Sequence, residues 1–457
     1  MRFLPFNTPI VLCIGLLSVG AARGADSTPG DHTAEKREGP ISLRAAIAFT
    51  LERHPNTKDS QLQVEGADSS IGLTYAAGLP TLNASASVIE SQDSLILGVP
   101  RFGGNTYNTY QFGFEFNQPL YRAGALIAGV RAARQELELQ KLSQGETARD
   151  LEVMVIKSFF GLLLAKRRLQ AMDQTLKIQE SLLETATRRY RIGSEQLLSV
   201  LQIKTNLALL DPQIADARNL LNSASAELAS LIGWKGSAPP EVKGDLANPK
   251  IVSVLKSRLE SATVAESKRS EILRVQILQE QLENIKKVQM SQHWPRLDLF
   301  GSWNRLASQK SDLLDNDASA WNVGLRLQIP LFSGLSSIHS RRILAAKVAG
   351  ARVAEERLSD AVALAQIHAR QNLELAVILI ASSQKAQEQA AEAVRVAASS
   401  YRLGTASYLQ VSEAQRRLTD AELALAQARY RATELLTTFY VEKGLLVSEL
   451  SGELNQP

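Results

Sequence analysis

RRYRIGSEQLLSVLQ, residues 188–202, returns in altered form as SSYRLGTASYLQVSE, residues 399–413. Tyr190, Arg191, Gly193, Ser194, Leu198 and Val200 correspond to Tyr401, Arg402, Gly404, Thr405, Leu409 and Val411, each 211 positions further on (401 − 190). Both copies have the composition of a reversal between helices. Gly193 and Gly404 stand where a helix must end, because glycine takes the left-handed C′ conformation at least cost. Ser194 and Thr405 are then placed to cap the returning helix by accepting from its free N–H groups. The same offset reaches upstream: FNQPLYRAG (116–124) resembles RLQIPLFSG (326–334), with Pro119 falling on Pro330. The interval from this proline to the turn glycine is 74 residues in both copies (193 − 119 and 404 − 330). An interval so strictly kept indicates a rigid element of fixed length.

That element reads as helix. Gly124–Tyr190 and Gly334–Tyr401 contain no proline and are dominated by Ala, Leu, Glu, Gln, Lys and Arg, the strong helix formers. At 1.5 Å per residue each would be a rod about 100 Å long, a length suited to a coiled coil. Past the turns, Leu207, Leu210, Ile214, Ala217, Leu221, Ala224, Leu228 and Leu231 alternate spacings of 3 and 4, as do Leu418, Ala421, Leu425, Ala428, Ala432, Leu435 and Phe439. A 3.5-residue apolar repeat means left-handed supercoiling. Asp211-Pro212 faces Glu422-Leu423, so a break or kink is expected in the first return helix only.

Four segments have another period. In TYQFGFEFNQPL, Tyr110, Phe112, Phe114 and Phe116 alternate with Gln111, Gly113, Glu115 and Asn117; in WNVGLRLQIPL, Trp321, Val323, Leu325, Leu327 and Ile329 alternate with Asn322, Gly324, Arg326 and Gln328. LNASASVIE and LDLFGSWNRL alternate less cleanly. Each copy thus supplies two strands joined by a polar loop, 98–108 and about 306–319. An apolar face opposite a polar one suits a membrane barrel with a wet lumen, and Tyr107, Tyr110, Trp303 and Trp321 near the strand ends suit an interfacial girdle. A soluble sheet with one buried face is the alternative. Four strands cannot enclose a lumen, and lipid does not tolerate an open edge, so copies of the chain must share the barrel: eight strands from two, twelve from three.

The 457 residues carry a formal charge of +4, which does not indicate a nucleic-acid surface. Arg2, the apolar PIVLCIGLLSVG and the small residues of GAARGA form a secretory signal. Its removal takes Arg2 and Arg23, leaving about +2 (4 − 2), together with Cys13, the sole cysteine; Leu12 before Cys13 is too bulky for a lipidation site. The mature chain therefore has no disulfide, thiolate site or thiol nucleophile. FFGLLLA (159–165) and LAVILIA (375–381) are far short of the ~20 residues a spanning helix needs. The five histidines, at 32, 54, 293, 339 and 368, are scattered; no H-E-x-x-H, Walker loop or Rossmann fingerprint is present. No catalytic residue, metal site or cofactor is expected. His54 and His293 read as helix-boundary residues.

The ordered set of a helix, two strands, a long helix, a YRxG[ST] turn and a heptad return helix, all given twice, resembles the TolC-like outer-membrane efflux proteins. HPNTKDSQLQVEGADSSIGLTYAAGLPTLNASAS (54–87) is similar to that family's opening helix and first strand, and SYRLGTASYLQVSEAQRRLTDAELAL (400–425) to its second periplasmic tip. The resemblance covers about 41–446. It implies a mainly α fold with a small β part: long coiled-coil helices forming a periplasmic α-barrel, and four strands per chain in a shared twelve-stranded transmembrane β-barrel. It implies a homotrimer, a passive exit duct docked to a periplasmic adaptor and an inner-membrane transporter, seated in outer-membrane lipid. Drugs, metal ions, small metabolites or polypeptides would be the cargo. The competing reading is a periplasmic coiled-coil structural or adaptor protein with a soluble sheet.

The expected division is a signal peptide over 1–24, a flexible N-terminus over 25–40 and a first repeat over 41–232, with strands about 79–97 and 109–119, long helix 124–190 and return helix 194–232. An equatorial linker covers 233–250. The second repeat covers 251–446, with strands about 296–305 and 320–331, long helix 334–401 and return helix 405–443; a tail covers 447–457. The resemblance places Tyr190, Arg191, Gly193, Ser194, Tyr401, Arg402, Gly404 and Thr405 at the adaptor-binding tip, and Tyr401, Gln410 and Glu413 at a gate. Glu413 matches one position of a carboxylate ring common in the family. Gln410, Ala406 and Ser199 depart from its charged residues, which puts the family's salt-bridge lock in doubt.

Overall fold

Sixty-seven residues of strong helix formers without proline form one uninterrupted helix, twice: α3 spans Ala125–Arg191 and α7 spans Ser336–Arg402. The computed structural model describes residues 40–92, 95–96, 99–100, 106–236, 240–246, 250–260, 269–307, 319–445 and 449–450. The signal segment 1–24, nearly all of the expected flexible N-terminus and most of loop 306–319 and tail 447–457 lie outside these. The other described helices are α1 (Leu43–Arg53), α2 (Pro55–Ala76), α4 (Leu197–Leu231), α5 (Lys250–Glu260), α6 (Ser270–Ser291) and α8 (Tyr408–Glu442).

The duplication is kept residue for residue in the backbone. α3/α7 and α4/α8 begin and end 211 positions apart (336 − 125, 402 − 191, 408 − 197, 442 − 231). α2 and α6 are 215 apart at both ends (270 − 55, 291 − 76). Every described positive-φ residue has its counterpart at 211: Ala123 with Gly334, Gly124 with Leu335, Gly193 with Gly404, and Gly233 with Gly444. Ala123 and Leu335 hold this conformation against a cost of ~1–2 kcal/mol each, at the point where a strand hands over to a long helix.

α4 and α8 return along α3 and α7, and no residue of either apolar series is exposed. The break expected at Pro212 does not occur, since α4 runs through it. Proline there removes one hydrogen bond and strains the preceding turn, while Leu210, Ile214 and Ala217 on either side pack against Met172. The main core lies halfway along the rods. Phe159, Phe160, Leu162 and Leu163 of α3 meet Leu373 and Ile380 of α7, Leu436 and Phe439 of α8, and residues of α1 and α5. Of the two apolar runs too short to span a bilayer, FFGLLLA is thus a central core segment, and LAVILIA gives Ala376 and Ile380 to the same core while Leu375 and Ile378 stay exposed. A parallel bridge, Ile41 to Val242, ties the N-terminal entry to the segment after α4.

The sheet is antiparallel in the order β1 (Thr81–Gln92), β4 (Thr106–Tyr121), β5 (Arg296–Ala307), β6 (Ser319–Gln328). A small hairpin, β2 (Leu95–Ile96) with β3 (Val99–Pro100), reaches into the expected loop 98–108. β4 is longer than expected, passing Pro119 with a register shift before Tyr121. β6 stops at Gln328 rather than 331, where Pro330 has no N–H to offer the ladder.

Register decides the faces. Leu82 pairs with Phe116, Ala84 with Phe114, Phe114 with Trp303, Trp303 with Trp321, and Leu299 with Leu325. Asn83 pairs with Glu115, Ser302 with Asn322, and Asp298 with Arg326 on the other side. Exceptions on the polar face are Ile89, Phe300 and Leu306; the Arg326 guanidinium covers the Phe300 ring at 4.5 Å. Arg305 interrupts the apolar face beside Trp303. The outer edges of β1 and β6 have no strand partner among the described residues.

Candidate functional site

Both turns lie at the same end of the rods, about 48 Å from Phe159 by helical rise. Each is a Schellman closure. Gly193 N–H donates to the Tyr190 carbonyl at 3.0 Å and Ser194 N–H to Arg189 at 2.9 Å; Gly404 N–H donates to Tyr401 at 3.1 Å and Thr405 N–H to Ser400 at 3.0 Å. The Ser194 and Thr405 hydroxyls also donate backwards, to Arg189 and Ser400. This corrects the expected capping role: the two hydroxyls finish the outgoing helices. The returning helices start later, at N-caps Gln196 and Ser407. The delay arises because Gly-Ser and Gly-Thr are consumed by the closure, leaving Glu195 and Ala406 to make the reversal.

Gly193 and Gly404 have φ of 76° and 81°, and a Cβ at either would meet nothing within 4 Å. Substitution therefore costs backbone strain alone. Gly404→Ala should destabilise the turn by ~1–2 kcal/mol, seen as faster amide exchange in the last turn of α7, and Gly404→Asn should do so less.

The turns differ sharply in their side chains. Tyr190 is 43 % exposed, whereas Tyr401 is 3 % exposed and packs with Ala186, Val200, Ile203, Tyr408 and Val411. The Tyr401 hydroxyl donates to Glu195 Oε2 at 3.0 Å. The Ser199 hydroxyl donates to Glu195 Oε1 at 2.8 Å. Arg189 lies over the Tyr401 ring, 4.7 Å from its centroid, and donates to the carbonyls of Tyr401 (2.8 Å) and Arg402 (2.9 Å). An arginine of α3 therefore caps the C-terminus of α7, where orphan carbonyls and the negative end of the dipole favour a cation. Glu195 sits just before α4, whose N-terminus favours an anion. Burial, then the bond to Glu195, pushes the Tyr401 phenol up to about 12. Tyr408 carries the linkage inward: its hydroxyl donates to Gln179 at 3.1 Å and accepts from Asn206 at 3.0 Å.

Arg191 and Arg402 are exposed. The Gln410 side chain accepts from the Ser407 N–H at 3.0 Å, so it is engaged in starting α8. Glu413 accepts from Arg416 at 2.9 and 3.1 Å and from Arg417 at 2.9 Å; these bonds, Arg416 first, hold its carboxyl down at about 2. His54 caps α2, its Nδ1 accepting from Asn56 N–H at 3.2 Å. Among the described residues no three His, Cys, Asp or Glu side chains gather as a metal site.

The chain matches the family model described as "Outer membrane efflux protein" over residues 47–234 and 264–440. It belongs to that family. The cobalt-zinc-cadmium resistance protein CzcC of Cupriavidus metallidurans is 22 % identical over 394 residues, covering 84 % of this chain and 85 % of that one. Outer membrane protein TolC of Vibrio cholerae is 22 % identical over 390 residues, covering 83 % and 85 %. Among solved structures, CusC superposes with a TM-score of 0.73 at 19 % identity, covering 89 % of this chain and 93 % of that one, and VceC of Vibrio cholerae with 0.70 at 20 %, covering 88 % and 96 %. As a member of the outer membrane efflux family the chain is an outer-membrane protein with a periplasmic helical extension, of a class that forms channels and is not enzymatic.

Within this efflux-protein frame, the sequence reading of the tip missed Arg189 and Glu195. Their counterparts at 211 are Ser400 and Ala406, so a search for repeated residues passes over both. The available signal was an Arg and a Glu flanking one YRxG[ST] turn and absent from the other.

Proposed function

We propose that three copies of the chain form a passive exit duct, opened at its periplasmic tip by an adaptor and an inner-membrane transporter. The observation that carries this reading is the sheet: an apolar face, a polar face and two unpartnered edges, mounted on rods about 100 Å long. An exposed ladder edge in lipid is untenable, and joining β6 of one copy to β1 of the next removes every edge. Three copies supply twelve strands. An eight-stranded barrel would be filled by its own side chains, whereas the polar face here, with Asn83, Glu115, Asn304 and Arg326, suits a wider, wet lumen. The exposed Tyr190, Arg191 and Arg402 are the surface offered to the adaptor, and the Arg189–Tyr401–Glu195 cluster is the latch that the adaptor releases. Cargo choice is assigned to the transporter. Metal ions, drugs, metabolites and polypeptides all remain compatible with this duct.

Purified protein added to planar bilayers should give discrete, small conductance steps, and its mass in detergent should correspond to three chains. A soluble monomer that leaves membranes in carbonate would overturn the proposal and favour a periplasmic coiled-coil protein.

A further inference from the structure

The chain crosses between sheet and helices four times: α2 to β1, β4 to α3, α6 to β5 and β6 to α7. The connecting stretches themselves carry no carboxylate, although Asp298 at the start of β5 is bonded to Arg122 at 2.6 Å. No Asp or Glu occurs in 69–89, 116–135, 284–297 or 319–354, although the whole chain has 47 acidic against 51 basic residues. The last three of these stretches hold 11 Lys and Arg, of which Arg122 is paired with Asp298 and Lys286 with Glu283. Acids resume one or two turns further from the sheet, and there they are engaged: Glu136 accepts from Gln140 and Gln281, and Glu355 from Gln276 and Gln279.

We infer that this junction is a basic collar that binds the anionic headgroups of phospholipids in the periplasmic leaflet. The inference rests on the membrane reading of the sheet. Arg341 and Arg342 lie five and six residues into α7, and Arg131 six residues into α3, hence about 8–9 Å along these helices from their sheet-side ends. Lys287 is four residues from the end of α6, about 6 Å away. The headgroup layer on each side of the hydrocarbon is about 5–8 Å deep, and with the sheet in the hydrocarbon the connecting residues and the first turns of these helices are the parts of the chain that meet it. Arg131, Arg341 and Arg342 are exposed and have no carboxylate partner among the described residues. Apolar side chains beside them complete an interfacial surface: Leu331, Phe332 and Trp294 are 93 %, 81 % and 59 % exposed. Cations at an anionic surface with apolar anchors alongside are what a negatively charged leaflet selects.

The test is quenching of the protein's tryptophans by dibrominated acyl chains, with the full mature chain in bilayers of phosphatidylcholine or of phosphatidylglycerol. At equal mole fraction the brominated anionic lipid should associate about fivefold more strongly than the neutral one, the effect of roughly one cation at a charged surface. The Lys287→Gln/Arg341→Gln/Arg342→Gln variant should lose most of that preference. In the unaltered protein, molar salt should reduce it, since the screening length falls to about 3 Å. Equal quenching by both lipids overturns the collar and leaves the duct standing, as does a preference indifferent to both salt and substitution. No quenching by either lipid means the sheet is outside the bilayer and overturns the membrane reading with it.

Discussion

A channel carrying Arg189→Gln and Glu195→Gln together is expected to assemble normally and to conduct about tenfold more than the unaltered channel. Each chain loses the two bonds from Arg189 to the end of α7 and the charged acceptor of the Tyr401 hydroxyl. A hydrogen bond to a charged group contributes ~1.5–3 kcal/mol when well sheltered, and about half of that at a site as open as the Arg189 head. A tenfold shift needs only ~1.4 kcal/mol across the whole assembly, so the loss in three chains exceeds it comfortably. Tyr401→Phe keeps the ring under Arg189 and should open the tip less. A double variant with unaltered conductance, at unaltered oligomer mass, removes the latch from the proposed mechanism. The same cluster sets an alkaline limit. The Tyr401 phenol is raised to about 12 above an ordinary value near 10. Its contribution is complete below about pH 10 and is lost as the pH rises toward 12. Phenolate absorbance should show two late-titrating tyrosines, Tyr401 and Tyr430, the latter also pushed up to about 12 by burial and its bond to Glu434, and Glu195→Gln should bring only the Tyr401 midpoint down, because Glu195 holds that proton on.

The latch also shows what a duplicated sequence reveals and what it conceals. The rods, the heptad returns and the strand pairs were legible because each rests on a period that one copy states and the other repeats. Leu210, Ile214 and Ala217 recur as Ala421, Leu425 and Ala428, and their burial follows. Tyr401 was legible as a turn residue but not as a buried one, since its twin Tyr190 is exposed. The difference arises where the copies diverge. Arg189 and Glu195 have no charged twin, and both reach across to the other turn at sequence separations of more than 200 residues, which no local pattern encodes. Pro212 does not break α4. Its local cost was read correctly, yet the seam on either side outweighs it. Ser199 donates to Glu195 four residues earlier, so a carboxylate does stand at the start of the first return helix.

Arginine placed on the sheet should separate its two faces completely. Val323 and Asn322 are adjacent on β6, both exposed in the single chain, and period-two geometry sends them to opposite sides. Val323 pairs with Gly301 in the apolar register and Asn322 with Ser302 in the polar one. Near mid-strand, arginine facing lipid costs ~2–4 kcal/mol, and a three-chain barrel meets that cost three times. Val323→Arg should therefore abolish the outer-membrane oligomer, leaving periplasmic or degraded chain. Asn322→Arg faces the wet lumen and should assemble fully, with its conductance shifted toward anions. Membrane fractionation with oligomer mass reads the first effect, and reversal potential under a salt gradient reads the second. In a soluble sheet with either face against water, two exposed neighbours would accept arginine alike, so equal assembly of the variants would exclude the barrel. The opposite pattern, with Asn322→Arg failing, would mean that the polar face is packed against protein and is not the wall of a lumen.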